Sequence, residues 1–309
     1  MRTRRIGSLE VSVIGLGCNN FGGRIDAQRS AEVVHAALDN GITFFDTADI
    51  YGGTKSEEFL GHALGPRRDE VVLATKFGMK VDEDRHGAKP AYVRSALEDS
   101  LRRLGTDRID LYILHAPDRE TPIADTLGAL DECVTAGKVH QIGCSNFSAD
   151  QLRQAHEAMT DGGARFVCVQ NEYSLLQREP ERSVLPECAR EGISFVPYFP
   201  LASGLLTGKY KRGEPPPAGG RLSGMPADHF AALDPKLAVA EQLAAFAEDL
   251  GHTLLELALS WLLGRTEVAS VIAGATSRAQ VETNAAGGGW VLDDAQLEAV
   301  DKLSPLSPA

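Results

Sequence analysis

A chain of 309 residues, 43% hydrophobic and 24% charged, is long enough to build one large core and too long for a typical single sandwich. Its net charge of −12 disfavours nucleic acid and anionic membrane as partners, so any phosphate-bearing ligand must meet a local cluster of cations. No run approaches the roughly 18 apolar residues of a membrane span, and the basic start 1–5 lacks the apolar continuation of a signal peptide, so a cytoplasmic protein is expected.

Residues 6–16, with a turn at Gly7-Ser8, read as a hairpin running into a first strand. Ala31, Val34 and Leu38 recur at helical spacing, and Gly41 closes that helix. Thr43-Phe44-Phe45 reads as a strand, the stretch around Phe59-Leu60 as a helix, and the unbroken run 71–75 as a buried parallel strand. Val93, Leu97, Leu101 and Leu104 mark the next helix, 109–114 a strand, Ile123, Leu127, Leu130 and Val134 a helix, and 139–144 a strand. Residues 152–159 are expected to be helical, 166–169 a strand, 184–190 a helix and 193–196 a strand. A Pro/Gly-rich stretch, 213–226, and two helices, 236–250 and 254–263, precede the last strand, 269–272, and a short helix near 280–286.

Eight alternating units give a parallel sheet, read here as a (β/α)8 TIM barrel with an N-terminal hairpin, an open doubly wound sheet being the second choice. No shift in composition cuts the chain, so 1–309 is expected to form one domain. The stretch 213–226 is read as short of apolar residues to pack and as a lid within that domain. Five scattered cysteines without a C-x-x-C pair point to a reducing compartment, and eight histidines show no ligand spacing, so no metal is expected.

In a barrel, chemistry gathers where the C-terminal strand ends converge. Here the second strand ends in Asp46 and leads to Tyr51, the third ends in Thr75-Lys76, the fourth in His115, the fifth in Ser145-Asn146 and the sixth in Gln170-Asn171. Each alone has an ordinary explanation: a helix cap, a turn aromatic, a solvated amine, a core imidazole. Their occurrence at successive strand ends is much harder to assign to chance.

These residues lie in Asp46-Thr47-Ala48-Asp49-Ile50-Tyr51-Gly52, Ala74-Thr75-Lys76, Leu114-His115-Ala116-Pro117-Asp118, Gly143-Cys144-Ser145-Asn146-Phe147 and Gln170-Asn171-Glu172-Tyr173. With Tyr198-Phe199-Pro200-Leu201, Leu206-Thr207-Gly208-Lys209-Tyr210 and Gly274-Ala275-Thr276-Ser277, they make the chain resemble the aldo-keto reductases, bacterial-type members related to potassium-channel β subunits. The resemblance implies NADPH-dependent reduction of an aldehyde or ketone by a tetrad of Asp46, Tyr51, Lys76 and His115. Tyr51 would donate the proton, Lys76 would lower its pKa, Asp46 would fix the lysine, and His115 would orient the carbonyl.

The resemblance also implies a cofactor site. Tyr198 would stack on the nicotinamide, with Ser145, Asn146 and Gln170 on its carboxamide. The backbone around Pro200, Leu201, Ser203, Gly204 and Leu206, with Lys209 and Arg221, would hold the pyrophosphate. Gly274, Thr276, Ser277, Arg278, Gln280 and Asn284 would serve the adenosine end, Ser277 and Arg278 nearest the 2′-phosphate. Cys144, Phe199 and Thr283 depart from the usual pattern. The substrate is expected to be a small carbonyl compound whose identity is not legible, and self-association is left open.

Two decoys are set aside. Gly15-Leu16-Gly17-Cys18-Asn19-Asn20 lacks the third glycine of a dinucleotide loop, and Gly204 to Lys209 is one residue short of a triphosphate loop. Two rivals stay open: a barrel lyase or isomerase using Lys76 as a Schiff-base amine, and a non-enzymatic, cofactor-sensing partner protein.

Overall fold

In the computed structural model, which describes residues 1–306, Gly7 (φ 56°) turns β1 (Thr3–Ile6) antiparallel onto β2 (Leu9–Ser12). The chain then enters β3 (Ile14–Gly17), α1 (Ala27–Asp39), β4 (Phe44–Asp46) and α2 (Lys55–Leu64). The alternation continues through β5 (Val72–Phe77), α3 (Pro90–Leu104), β6 (Ile109–Leu114), α4 (Ile123–Thr135), β7 (Val139–Ser145), α5 (Ala149–Glu157) and β8 (Phe166–Glu172). Next come α6 (Val184–Glu191), β9 (Ser194–Tyr198), α7 (Ala227–Ala231), α8 (Asp234–Asp249), α9 (Leu254–Leu263), β10 (Val271–Gly274), α10 (Arg278–Gly287) and α11 (Asp294–Leu303).

All eight strands from β3 to β10 are parallel, in the order β10-β3-β4-β5-β6-β7-β8-β9. The ring closes where Phe195 of β9 donates to the Glu267 carbonyl (2.7 Å) and accepts from the Ala269 amide (3.0 Å). That closure decides for the (β/α)8 barrel and against the open sheet, which would leave two unpaired edges. No helix among the described residues is long and apolar enough to cross a membrane.

The barrel interior is packed. Phe44, Ala74, Leu111, Ile113, Cys168, Val196 and Ile272, from β4, β5, β6, β8, β9 and β10, form one buried cluster with Ile6 and Val11 of the hairpin, which therefore plugs the floor. Arg4 pins that plug by donating to the carbonyls of Leu263 (2.6 Å) at the end of α9 and of Arg265 (3.1 Å) and Val268 in the segment after it. Gly15 belongs to this packing: a Cβ there would lie 2.8 Å from the Phe44 ring, so the near-dinucleotide motif serves strand contact.

Three sequence expectations need correction. The strand expected at 166–169 runs on to Glu172, so Gln170 and Asn171 are strand residues in ladder register with Val196 and Pro197. Helix α11 was not expected because of its residues only Val300 is buried; a capping box at Asp293 and Gln296 starts it, and Asp301 ties it to Arg178, Arg265 and Trp261. The stretch 213–226 is not bare of apolar anchors. Leu222 is buried against Leu205, Tyr210, Phe230 and Leu237, Met225 packs beside them, and the Leu222 amide donates to the Tyr210 hydroxyl at 3.1 Å.

Helix α2, which follows the Tyr51 loop, is seated on α3 through a glycine. A Cβ at Gly61 would fall 2.2 Å from the Leu104 carbonyl oxygen, so Gly61→Ala must push the two helices apart. We expect it to cost about 1–3 kcal/mol or more in urea unfolding. Gly128→Ala, in α4 with nothing within 4 Å, should instead gain up to about 1 kcal/mol.

Candidate active site

Beyond Asp46 the chain keeps its hold on β5. Thr47 donates its amide to the Ala74 carbonyl (2.9 Å) and Asp49 donates to the Lys76 carbonyl (3.0 Å). A turn from the Tyr51 amide to the Ala48 carbonyl (3.2 Å) then brings Tyr51 back over the strand ends. The Thr47 and Ser56 hydroxyls bond at 2.8 Å, and Ser56 donates to the Cys18 carbonyl at 2.9 Å, which roots the start of α2 beside β3.

Lys76 is only 2% exposed, and its ammonium spends all three donors: Asp46 Oδ1 at 2.5 Å, the Thr47 carbonyl at 2.8 Å and Tyr51 Oη at 3.4 Å. The second oxygen of Asp46 accepts from Gln170 Nε2 at 2.6 Å. His115 closes the set from the end of β6, its ring edge-on to Tyr51 with centroids 5.7 Å apart. Its Nδ1 is buried without a hydrogen-bond partner among the described residues.

Electrostatics assign each group a resting state. Burial alone would lower the Lys76 pKa, but Asp46 and then Tyr51 outweigh it and raise it, so the amine stays charged. Burial, then Lys76, drives the imidazole of His115 down to about 3, so it is neutral at ordinary pH. Tyr51 departs from expectation. Lys76 does act to lower its pKa, but burial, with Asp46 in support, outweighs the lysine and raises it. The resting phenol therefore keeps its proton throughout the neutral range.

Most of the expected nicotinamide set is joined to this core. Ser145 donates to the Gln170 carbonyl (2.9 Å), and Asn146, in the left-handed region at φ 62°, donates to the His115 carbonyl (2.9 Å) and to Ser145 Oγ (3.1 Å). Tyr198 donates its hydroxyl to Asn146 Oδ1 at 2.7 Å, its ring edge-on to Phe199. The Gln170–Asp46 bond, which couples this set to the tetrad, was not foreseen, because Gln170 was placed past the end of its strand.

Two further groups flank the core and share no side-chain hydrogen bond with the tetrad among the described residues. After Pro200, residues 202–207 form tight turns with Ser203 at φ 57° and Gly204 at φ 96°, leaving Leu201 half-buried and Leu206 buried. Lys209 lies over the Tyr210 ring and Arg221 over the Phe199 ring, each about 5.1 Å from the centroid. Burial, then Arg24, lowers the Arg221 pKa. Arg24, in the β3–α1 loop, was missed in the sequence, where a lone arginine after two glycines carries no motif. None of these three cations forms an ion pair among the described residues, and Arg24 and Arg221 are near enough to repel each other.

The second flanking group starts α10. Ser277 caps the helix by accepting from the Gln280 amide (3.3 Å), and the Thr276 amide (2.8 Å) and hydroxyl (3.1 Å) both donate to Gln280 Oε1. Gly274 lies beside Asn19 and Asn20, Asn284 is buried, and Arg278 is half-exposed with Asp39 at 3.4 Å and Glu282 at 3.8 Å.

Comparison with known proteins decides what this arrangement is. The Aldo/keto reductase family model matches residues 13–305. The chain belongs to the aldo/keto reductase family. It is 34% identical to a probable aldo-keto reductase 1 of Glycine max, over 96% of this chain and 86% of that protein. It superposes on the solved structure of a glycerol dehydrogenase from Gluconobacter oxydans with a TM-score of 0.85, at 30% identity, covering 99% of this chain and 98% of that one. As an aldo/keto reductase the protein is an oxidoreductase acting on carbonyl compounds, in a family that works with a nicotinamide cofactor.

Because its pKa lies near 3, the His115 imidazole should show no titration in NMR between pH 5 and 8. A ring signal of His115 moving with a midpoint near the ordinary value of about 6.5 would contradict the neutral assignment.

Proposed function

We propose that this aldo/keto reductase converts aldehydes and ketones to alcohols with NADPH, Tyr51 giving the proton that the new alcohol oxygen requires. The observation that carries the reading is the buried Tyr51–Lys76–Asp46 chain, with the phenol 3.4 Å from an ammonium that a carboxylate holds at 2.5 Å. The raised resting pKa of Tyr51 keeps the donor loaded. An alkoxide is a far stronger base than a phenolate, so the proton moves to the substrate oxygen as charge gathers there. The phenolate left behind lies against Lys76, which stays charged because Asp46 faces it. Neutral His115 offers a hydrogen bond to the same oxygen without competing as an acid.

These polar groups are the ones we assign to the cofactor. Tyr198, Ser145, Asn146 and Gln170 would hold the nicotinamide. The turns at Leu201, Ser203, Gly204 and Leu206 after Pro200, with Lys209 and Arg221, would hold the pyrophosphate. Gly274, Thr276, Ser277, Arg278, Gln280 and Asn284 would hold the adenosine end. Bound there, NADPH supplies the hydride. A Schiff-base role for Lys76 is disfavoured, since its amine is charged and its three donors are spent. The relative's name, glycerol dehydrogenase, supports the same site run toward alcohol oxidation, and a polyol with NADP+ tests that direction. We read the described residues, 1–306, as one barrel domain working in the cytoplasm, in keeping with five thiols that form no disulfide; the expected domain bound at 309 lies outside them.

Tyr51→Phe removes one oxygen and keeps the ring. We expect unchanged NADPH affinity and a loss of turnover of about 10²–10⁴-fold in NADPH absorbance assays with an aldehyde panel. Wild-type turnover in that variant, with His115→Phe inactive, would reverse the two roles.

Arg278 is the candidate reader of the 2′-phosphate. Arg278→Ala should weaken NADPH binding by about 1.5–3 kcal/mol, as for a charge-assisted contact, and leave NADH binding nearly unchanged. Equal losses in a fluorescence titration of both cofactors would remove it from that role.

A further inference from the structure

The fold buries a second set of ionisable side chains that the chemistry above does not use. Asp49 and Glu57 flank Tyr51 in sequence and are 2% and 0% exposed. Glu57, in the first turn of α2, accepts from Arg103 Nε of α3 and from the Thr75 hydroxyl of β5, both at 2.6 Å. Asp49 reaches the same two elements: its amide donates to the Lys76 carbonyl of β5 at 3.0 Å, and its Oδ2 accepts from the Tyr92 hydroxyl of α3 at 3.4 Å. The proton-donor loop is thus suspended between two acids, each anchored to α3 and to the strand that carries Lys76.

The two anchors are unequal. Glu57 has an arginine and a hydroxyl, whereas Asp49 has the long Tyr92 contact and the neighbouring Ile50 amide but no cation bonded to it, and its Oδ1 is buried without a partner among the described residues. We propose that Asp49 is a positioning residue for Tyr51, its carboxyl setting through Tyr92 how closely the 47–54 loop brings the Tyr51 hydroxyl to Lys76, and doing so differently when neutral and when ionised. The inference rests on the assignment of Tyr51 as proton donor.

The groups acting on Asp49 are Glu57 from α2, Tyr92 and Arg103 from α3 and the amide of Ile50 in its own loop; it acts in turn on Tyr112 of β6. Burial, then Glu57, pushes its carboxyl up to about 7, against the opposing effects of Arg103 and the Tyr92 hydrogen bond. Below that pH Asp49 is a neutral acid, which a buried site with one unpartnered oxygen tolerates. Above it, an anion stands beside Glu57 with too few donors, and the loop relaxes away from Lys76. Reduction should therefore slow as pH rises through the neutral range, where neither Tyr51 nor His115 titrates.

The test follows kcat for 4-nitrobenzaldehyde reduction by NADPH from pH 5 to 9. A parallel NMR titration follows the Tyr51 ring signal, assigned by its loss in Tyr51→Phe. In the wild type we expect kcat to fall about 10-fold through a step near pH 7, less than the roughly 10²-fold cost of a full 1 Å misplacement, with the ring signal moving at the same step. Asp49→Asn should keep the acid-side kcat and the NADPH affinity and lose both steps. Tyr92→Phe should flatten both steps, because it removes the bond through which the carboxyl acts on the loop. The same step surviving in Asp49→Asn, or kcat and NADPH affinity falling together in it, would overturn the inference. A moving ring signal without turnover of any aldehyde would sink the reduction reading and leave the positioning role standing. A ring signal that does not move overturns the positioning role.

Discussion

A lysine and an aspartate, both nearly sealed from solvent, meet at 2.5 Å at the C-terminal end of the barrel. Taking both ions out of water costs several kcal/mol each, and their attraction repays this only where the remaining donors and acceptors are filled. Here they are filled: Lys76 uses three protons and Asp46 both oxygens. Three strands must hold register for that to happen, since Asp46 pairs with Ala74 across β4 and β5 while Gln170 arrives from β8 on the other side of the ring. The pair is poor evidence for stability and good evidence for a site.

Much of this was legible because hydrophobic runs separated by turn residues locate parallel strands, and polar residues just after them stand out against apolar neighbours. The order of units and the convergence of Asp46, Tyr51, Lys76 and His115 follow from that contrast. Gln170 shows its limit. A polar residue after 166–169 reads as the end of a strand, yet the ladder carries on because Gln170 finds Asp46 inside the barrel mouth. The sign of the Tyr51 shift was also out of reach, since it depends on weighing depth of burial against one nearby charge, and depth is a property of the fold.

Other misses have a similar origin. Glu57 and Arg103 look like ordinary helix-surface charges within Lys55-Ser56-Glu57-Glu58 and Leu101-Arg102-Arg103-Leu104, but they pair across two helices out of solvent. Leu222 looked isolated among glycines and prolines, and its partners Tyr210, Phe230 and Leu237 lie up to 15 residues away in sequence. Periodicity cannot register contacts of that kind. Arg24 needed Arg221 beside it before it meant anything.

The hairpin that plugs the floor has a consequence for proton traffic. With Ile6 and Val11 packed into the barrel, the tube is blind at one end, and Lys76, Asp46 and Tyr51 can exchange protons with water only through the mouth. A ligand seated in that mouth closes the same route. If Tyr51 is the donor we propose, the proton it gives up in an occupied site is replaced only when the mouth opens again. Under that proposal each cycle delivers a single proton, and reloading the phenol belongs to the departure of product.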